Sequence, residues 1–74
     1  MCNIAGYIGD KPATPILIEM IKNQSGFCGG YYTGITTLYN GKLYTAKVVG
    51  DVDRLLSLTS AINFPGNIGI IHSR

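Results

Sequence analysis

The stretch "TLYNGKLY", residues 37–44, constrains this chain more than any other. Asn-Gly is the preferred pair for a two-residue type I′ turn, because both central positions need a positive φ that other residues resist. Here it joins two β-rich runs within "YYTGITTLYNGKLYTAKVV", which predicts a hairpin in which Tyr39 faces Lys42. Side chains alternate along each strand. That register therefore sends Ile35, Tyr44, Ala46 and Val48 to one face, and Leu38, Leu43, Thr45 and Lys47 to the other.

The hairpin needs neighbours, since two strands alone are marginal in water. "NIAGYIG", residues 3–9, reads as a strand covered on both faces. In "ATPILIEMIKNQ", Thr14 is a candidate N-cap, Pro15 suits the first helical position, and Leu17, Met20, Ile21 and Gln24 repeat at helical spacing. Asp51 is placed to cap a second helix, "VDRLLSLTSAI", with Val52, Leu55, Leu56 and Thr59 on one side. "NFPGN" breaks it, and "NIGIIHSR" has strand character. The resulting order is β-α-β-β-α-β, an α+β chain with an incomplete sheet left open at its last strand. An open edge invites pairing with another chain.

With 74 residues, 46% hydrophobic and 14% charged, this is at most one small domain with a thin core, and its composition calls for a partner surface. Six basic residues against four acidic ones are scattered, without the basic stripe that nucleic acid would require. Cys2 and Cys28 are too far apart for a CxxC pair, and His72 alone could add a nitrogen ligand, so neither a metal site nor a cofactor is expected. A secretory leader and an apolar run of the ~20 residues that span a membrane are both missing from the pattern, which points to a cytoplasmic chain. There, a Cys2–Cys28 disulfide is not expected. No internal repeat or low-complexity stretch is present. The glycine cluster at 26–30 lacks the Lys-Ser/Thr that a phosphate loop needs.

Cys2 is the residue least explained by packing. Chain ends fray, and an exposed thiol there is prone to oxidation. Together, "MCNIAGYIG", "GFCGGYYTGI", "NGKLYTAKVVGDVDRL" and "GNIGIIHSR" resemble the N-terminal part of a class II, N-terminal-nucleophile glutamine amidotransferase domain, over essentially all 74 residues. Within that family the hairpin and "VVGDVDRL" are closer to the sugar-phosphate aminotransferase branch. The resemblance implies an αββα sandwich of which residues 1–74 supply the first part. It also implies glutamine as substrate, the rest of the glutaminase domain and an acceptor domain as partners, and leaves a homo-oligomer open.

The chemistry implied is coherent with these residue types. Removal of Met1 would give Cys2 a free α-amine, so one residue would carry both nucleophile and base. An amine of pKa ~7.7 to 8.0 can relay the proton of a thiol near ~8.5, so that the thiol attacks the glutamine side-chain amide to give a thioester and ammonia. "HSR" resembles the start of the family's H-T-R-W-A-T-H-G segment, whose arginine grips the substrate α-carboxylate, and Arg74 matches it. A guanidinium fork suits that bidentate role. His72 is read as a support for its strand, and Ser73 stands where the family often has Thr.

The family's common glycine after the nucleophile is Asn3 here, and the arginine of its Y-R-G-Y-D-S-A-G segment is replaced by Cys28, read as a small buried hydrophobe. The family's Asn-Gly oxyanion donors and amine-binding acid would follow residue 74, so these residues alone are expected to be inert. These departures sustain an alternative: a non-catalytic relic of the same fold, serving as an interaction or regulatory module. A free-standing β-rich binding protein ranks third.

Overall fold

A computed structural model of the chain describes residues 3–24 and 32–73. Its elements are β1 (Asn3–Ile8), α1 (Ala13–Gln24), β2 (Tyr32–Tyr39), β3 (Lys42–Val49), α2 (Val52–Leu58), a 3₁₀ turn (Ala61–Asn63) and β4 (Ile68–Ser73). The α+β class and the order β-α-β-β-α-β are as the sequence predicts. Asn40 and Gly41 take φ of 52° and 75°, and Tyr39 pairs with Lys42, so the Asn-Gly turn sets the hairpin register. Tyr32, Tyr39 and Tyr44 are strand residues, as read from the sequence, while Tyr31 lies outside the described residues.

The strands form one antiparallel sheet in the order β1-β4-β2-β3. This corrects the expected place of the opening. β4, the last strand, is paired on both sides, to β1 and β2, and the described edges are β1 and β3. What lies open is a face. Ala5, Ile35, Ala46 and Ile71 share one side of the sheet and pack with Leu17, Ile18 and Ile21 of α1 and Val52 and Leu55 of α2. Each fully buried Leu or Ile here contributes roughly 1.5–3 kcal/mol. On the opposite side no described residue covers the sheet: Ile8 is 77% exposed, Leu43 72%, Val49 71% and Ile70 55%. Among the described residues, β1 is therefore covered on one face, where the sequence pattern predicts cover on both. A single sheet with both helices on one side is compatible with half of an αββα sandwich.

Both helix starts follow physical rules, but one differs from expectation. Thr14 does not cap α1: it lies inside the helix, and its hydroxyl donates to the Phe64 carbonyl at 3.0 Å. The chain past the 3₁₀ turn does the capping instead, with Ala13 N–H donating to the Gly66 carbonyl at 2.9 Å. Pro15 still falls in the first turn, where no N–H is required. At α2 the expected cap is present, since Asp51 accepts from Arg54 N–H at 3.0 Å. Asp51→Ala should lower stability by about 1 kcal/mol, read as a shift in the urea midpoint at unchanged slope.

α2 stops earlier than its apolar spacing suggests. Thr59 takes an extended conformation, and its hydroxyl donates to the Leu55 carbonyl at 2.7 Å while accepting from Ala61 N–H at 3.2 Å. That local side-chain competition with the backbone ends the helix. Leu55 is nonetheless fully buried and Leu56 packs partly against the core.

Candidate active site

β1 begins, β2 begins and β4 ends at one end of the sheet. Asn3 stands opposite Ser73, Ser73 opposite Thr33, and Thr33 opposite Val48, giving one row across four strands. Thr33 and Ser73 are buried on the helix side of this row, and the Thr33 hydroxyl donates to the Gly50 carbonyl at 2.8 Å. The row is thus tied to the turn that leads into α2. Cys2, Arg74 and Cys28, the candidate nucleophile, candidate carboxylate grip and expected small hydrophobe, lie outside the described residues. Covalently, Cys2 precedes Asn3, Arg74 follows Ser73, and the segment carrying Cys28 leads towards β2.

His72 is the described residue of the "HSR" segment that faces the open side of the sheet. It stands opposite Ile4 on β1 and Gly34 on β2, and it is half-buried. Gly34 makes that seat. A Cβ there would lie 2.7 Å from His72 Cε1 and 3.1 Å from Lys47 Cγ, so the imidazole and the lysine stem lean over the glycine from its two sides. His72 is held against its own sheet, in keeping with a supporting role for the strand.

Around this row lies an open hollow of about 330 Å³, lined by Tyr32, Thr33, Lys47, Val48, Val49 and His72. Its lining is largely apolar apart from one cation, one imidazole and two hydroxyls. The hairpin register assigns Lys47 to this face, whereas its meeting with His72 depends on the pairing of β2 with β4. The available signal was Gly34, a glycine inside a β-rich run, which often marks close approach of another group. Among the described residues no group of three or more His, Cys, Asp or Glu side chains is placed to hold a metal ion. No described helix is long and apolar enough to cross a membrane.

The chain is similar over its whole length to isomerizing glutamine–fructose-6-phosphate aminotransferases. It is 39% identical to that of Pyrococcus horikoshii and 42% identical to that of Caldanaerobacter subterraneus subsp. tengcongensis, over 74 residues in each case. The Methanosarcina mazei protein of the same name is 40% identical over 76 aligned residues. In all three the match takes in 100% of this chain and 12% of the relative's length. No protein-family model matches the chain, and no solved structure gives a significant match. The amidotransferase resemblance read from the sequence is borne out by these relatives.

Proposed function

We infer that this chain, a relative over its whole length of the glutamine–fructose-6-phosphate aminotransferases, is the N-terminal part of a glutaminase domain whose nucleophile is Cys2. The supporting observation is the register of Asn3 with Ser73. Cys2 and Arg74 are each one peptide bond from that pair, which supports a reading in which thiol and guanidinium serve one substrate. A free glutamine carries a carboxylate at one end and its amide at the other, and these two groups match that pair of side chains.

The reaction requires Met1 to be gone. The Cys2 α-amine then takes the thiol proton, and the sulfur attacks the side-chain carbonyl carbon of glutamine. Collapse of the tetrahedral adduct breaks the C–N bond, and the amine returns the proton so that ammonia leaves. Water cleaves the γ-glutamyl thioester to glutamate and restores the thiol. Arg74 holds the α-carboxylate through paired N–H donors. The ammonia would serve an acceptor domain, with a sugar phosphate as the acceptor suggested by the relatives' names. The chain spans only 12% of those relatives. Residues 1–74 alone, without oxyanion donors, should therefore release no ammonia. A cytoplasmic setting suits a free thiol nucleophile.

A glutamine-analogue electrophile should label the full-length protein on Cys2 and nowhere else; no labelling, with Met1 already removed, rejects the reading. That outcome would favour the non-catalytic relic, which Asn3 after the nucleophile and Cys28 in place of the family's arginine both support. Arg74→Lys should raise the KM for glutamine about 10- to 100-fold with kcat largely kept, because charge survives while the paired hydrogen bonds do not. Steady-state ammonia release against glutamine concentration measures this.

A further inference from the structure

The open face of the sheet carries two side chains that apolar packing does not explain. Ile4, His72, Gly34 and Lys47 form one row across it. Lys47 has no ion-pair partner among the described residues, where the pair within 4.0 Å is Lys22 with Asp53, joining the helices. No strand residue on this face is acidic, and Tyr32 is the other titratable group there. The rest of the face is prepared for cover. Ile8, Ile68, Leu38, Leu43 and Ile70 lie in adjoining rows, and the hydroxyls of Thr36 and Thr45, half-exposed and exposed, already satisfy each other at 3.0 Å. Contiguous exposed apolar surface of this kind marks an interaction site.

We propose that the hollow between Lys47 and His72 receives a carboxylate side chain from the later part of the same polypeptide, fixing how that part registers on this sheet. The proposal rests on the amidotransferase reading, in which a second layer covers the open face. The occupant follows from three observations. The match takes in 12% of each relative, so those proteins carry ample further polypeptide to cover such a face. The hollow adjoins the apolar surface along β4, where His72 lies two residues from Ile70 on the same face, so a layer resting on Ile70 reaches the hollow. A lysine taken out of water without a counter-charge is costly, whereas a carboxylate between an ammonium and an imidazole is compensated. Gly34 lets the imidazole and the lysine stem converge over the sheet, so that both line the same hollow.

Lys47→Met in the full-length protein tests this through the pH dependence of melting. Without its cation, the buried carboxylate has a folded-state pKa above its unfolded value. The variant's deficit is then absent below about pH 4, where the acid is protonated in both states, and grows as pH rises. The expected loss is about 5–15 °C in Tm at pH 8 and under ~2 °C at pH 4. No loss at either pH, or an equal loss at both, overturns the carboxylate. Maleimide mapping of Ile70→Cys reads the cover separately: protection in the native full-length protein is expected, and rapid labelling means the face is bare, overturning the proposal at its premise. Neither result depends on Cys2 labelling, so the glutaminase reading stands or falls on its own experiment.

Discussion

Cys2→Ala in the full-length protein should reduce glutamine-dependent ammonia release by roughly 10⁴-fold or more while leaving the thermal midpoint almost unchanged. The size follows from the role: a nucleophile that forms the covalent intermediate has no substitute, and loss of such a group removes nearly all of the chemical rate enhancement. The small effect on folding follows from the size of the change, since a thiol at a chain end contributes little packing. Cys28→Ala is the contrast. If its sulfur serves as a small core hydrophobe, stability should fall on the order of 1 kcal/mol with turnover kept at low temperature. Ammonia release and thermal midpoint, measured together for both variants, separate the two cysteines. An unaltered glutaminase rate in Cys2→Ala ends the N-terminal-nucleophile reading, and an equal loss from Cys28→Ala shows that the wrong cysteine was assigned to structure.

The parts of this fold that are local in sequence are legible in it. Asn40-Gly41 dictates a turn conformation, the turn dictates register, and register assigns Ile35, Tyr44, Ala46 and Val48 to the helix face. Asp51 caps α2 because its carboxylate and the Arg54 N–H are three residues apart, within reach of any single-sequence reading. Apart from the early stop of α2, which the Thr59 hydroxyl sets locally, the misreadings are non-local. Thr14 looks like a cap until the Phe64 carbonyl, 50 residues on, claims its hydroxyl. "NIGIIHSR" looks like an edge until β1 and β2 close on β4 from both sides, because strand order is not written in hydrophobic alternation. The same limit applies to the site. Cys2 stands out by chemistry alone, whereas the approach of His72 and Lys47 over Gly34 depends on β2 lying between β4 and β3.

Ile70→Asp should prevent the full-length protein from folding, yet raise the soluble yield of residues 1–74 expressed alone. Ile70 lies on the central strand β4, faces away from both helices and helps line an apolar trough of about 240 Å³ with Leu38, Leu43 and Ile68. In the 74 residues it is 55% exposed, so a carboxylate there meets water and breaks an aggregation-prone surface. Under a covering layer the same carboxylate would lose its hydration with no cation beside it, and the apolar contact of the isoleucine would go as well. Its nearest described cation on this face, Lys47, stands in the next row and two strands away. Together these terms cost more than about 4 kcal/mol, a large part of the ~5–15 kcal/mol that holds a typical domain folded. Soluble yield and circular dichroism of the two lengths, each with and without the substitution, read both halves of the result. A folded, active full-length Ile70→Asp protein means that no apolar layer rests on β4, and the exposed face of this sheet is then its final surface.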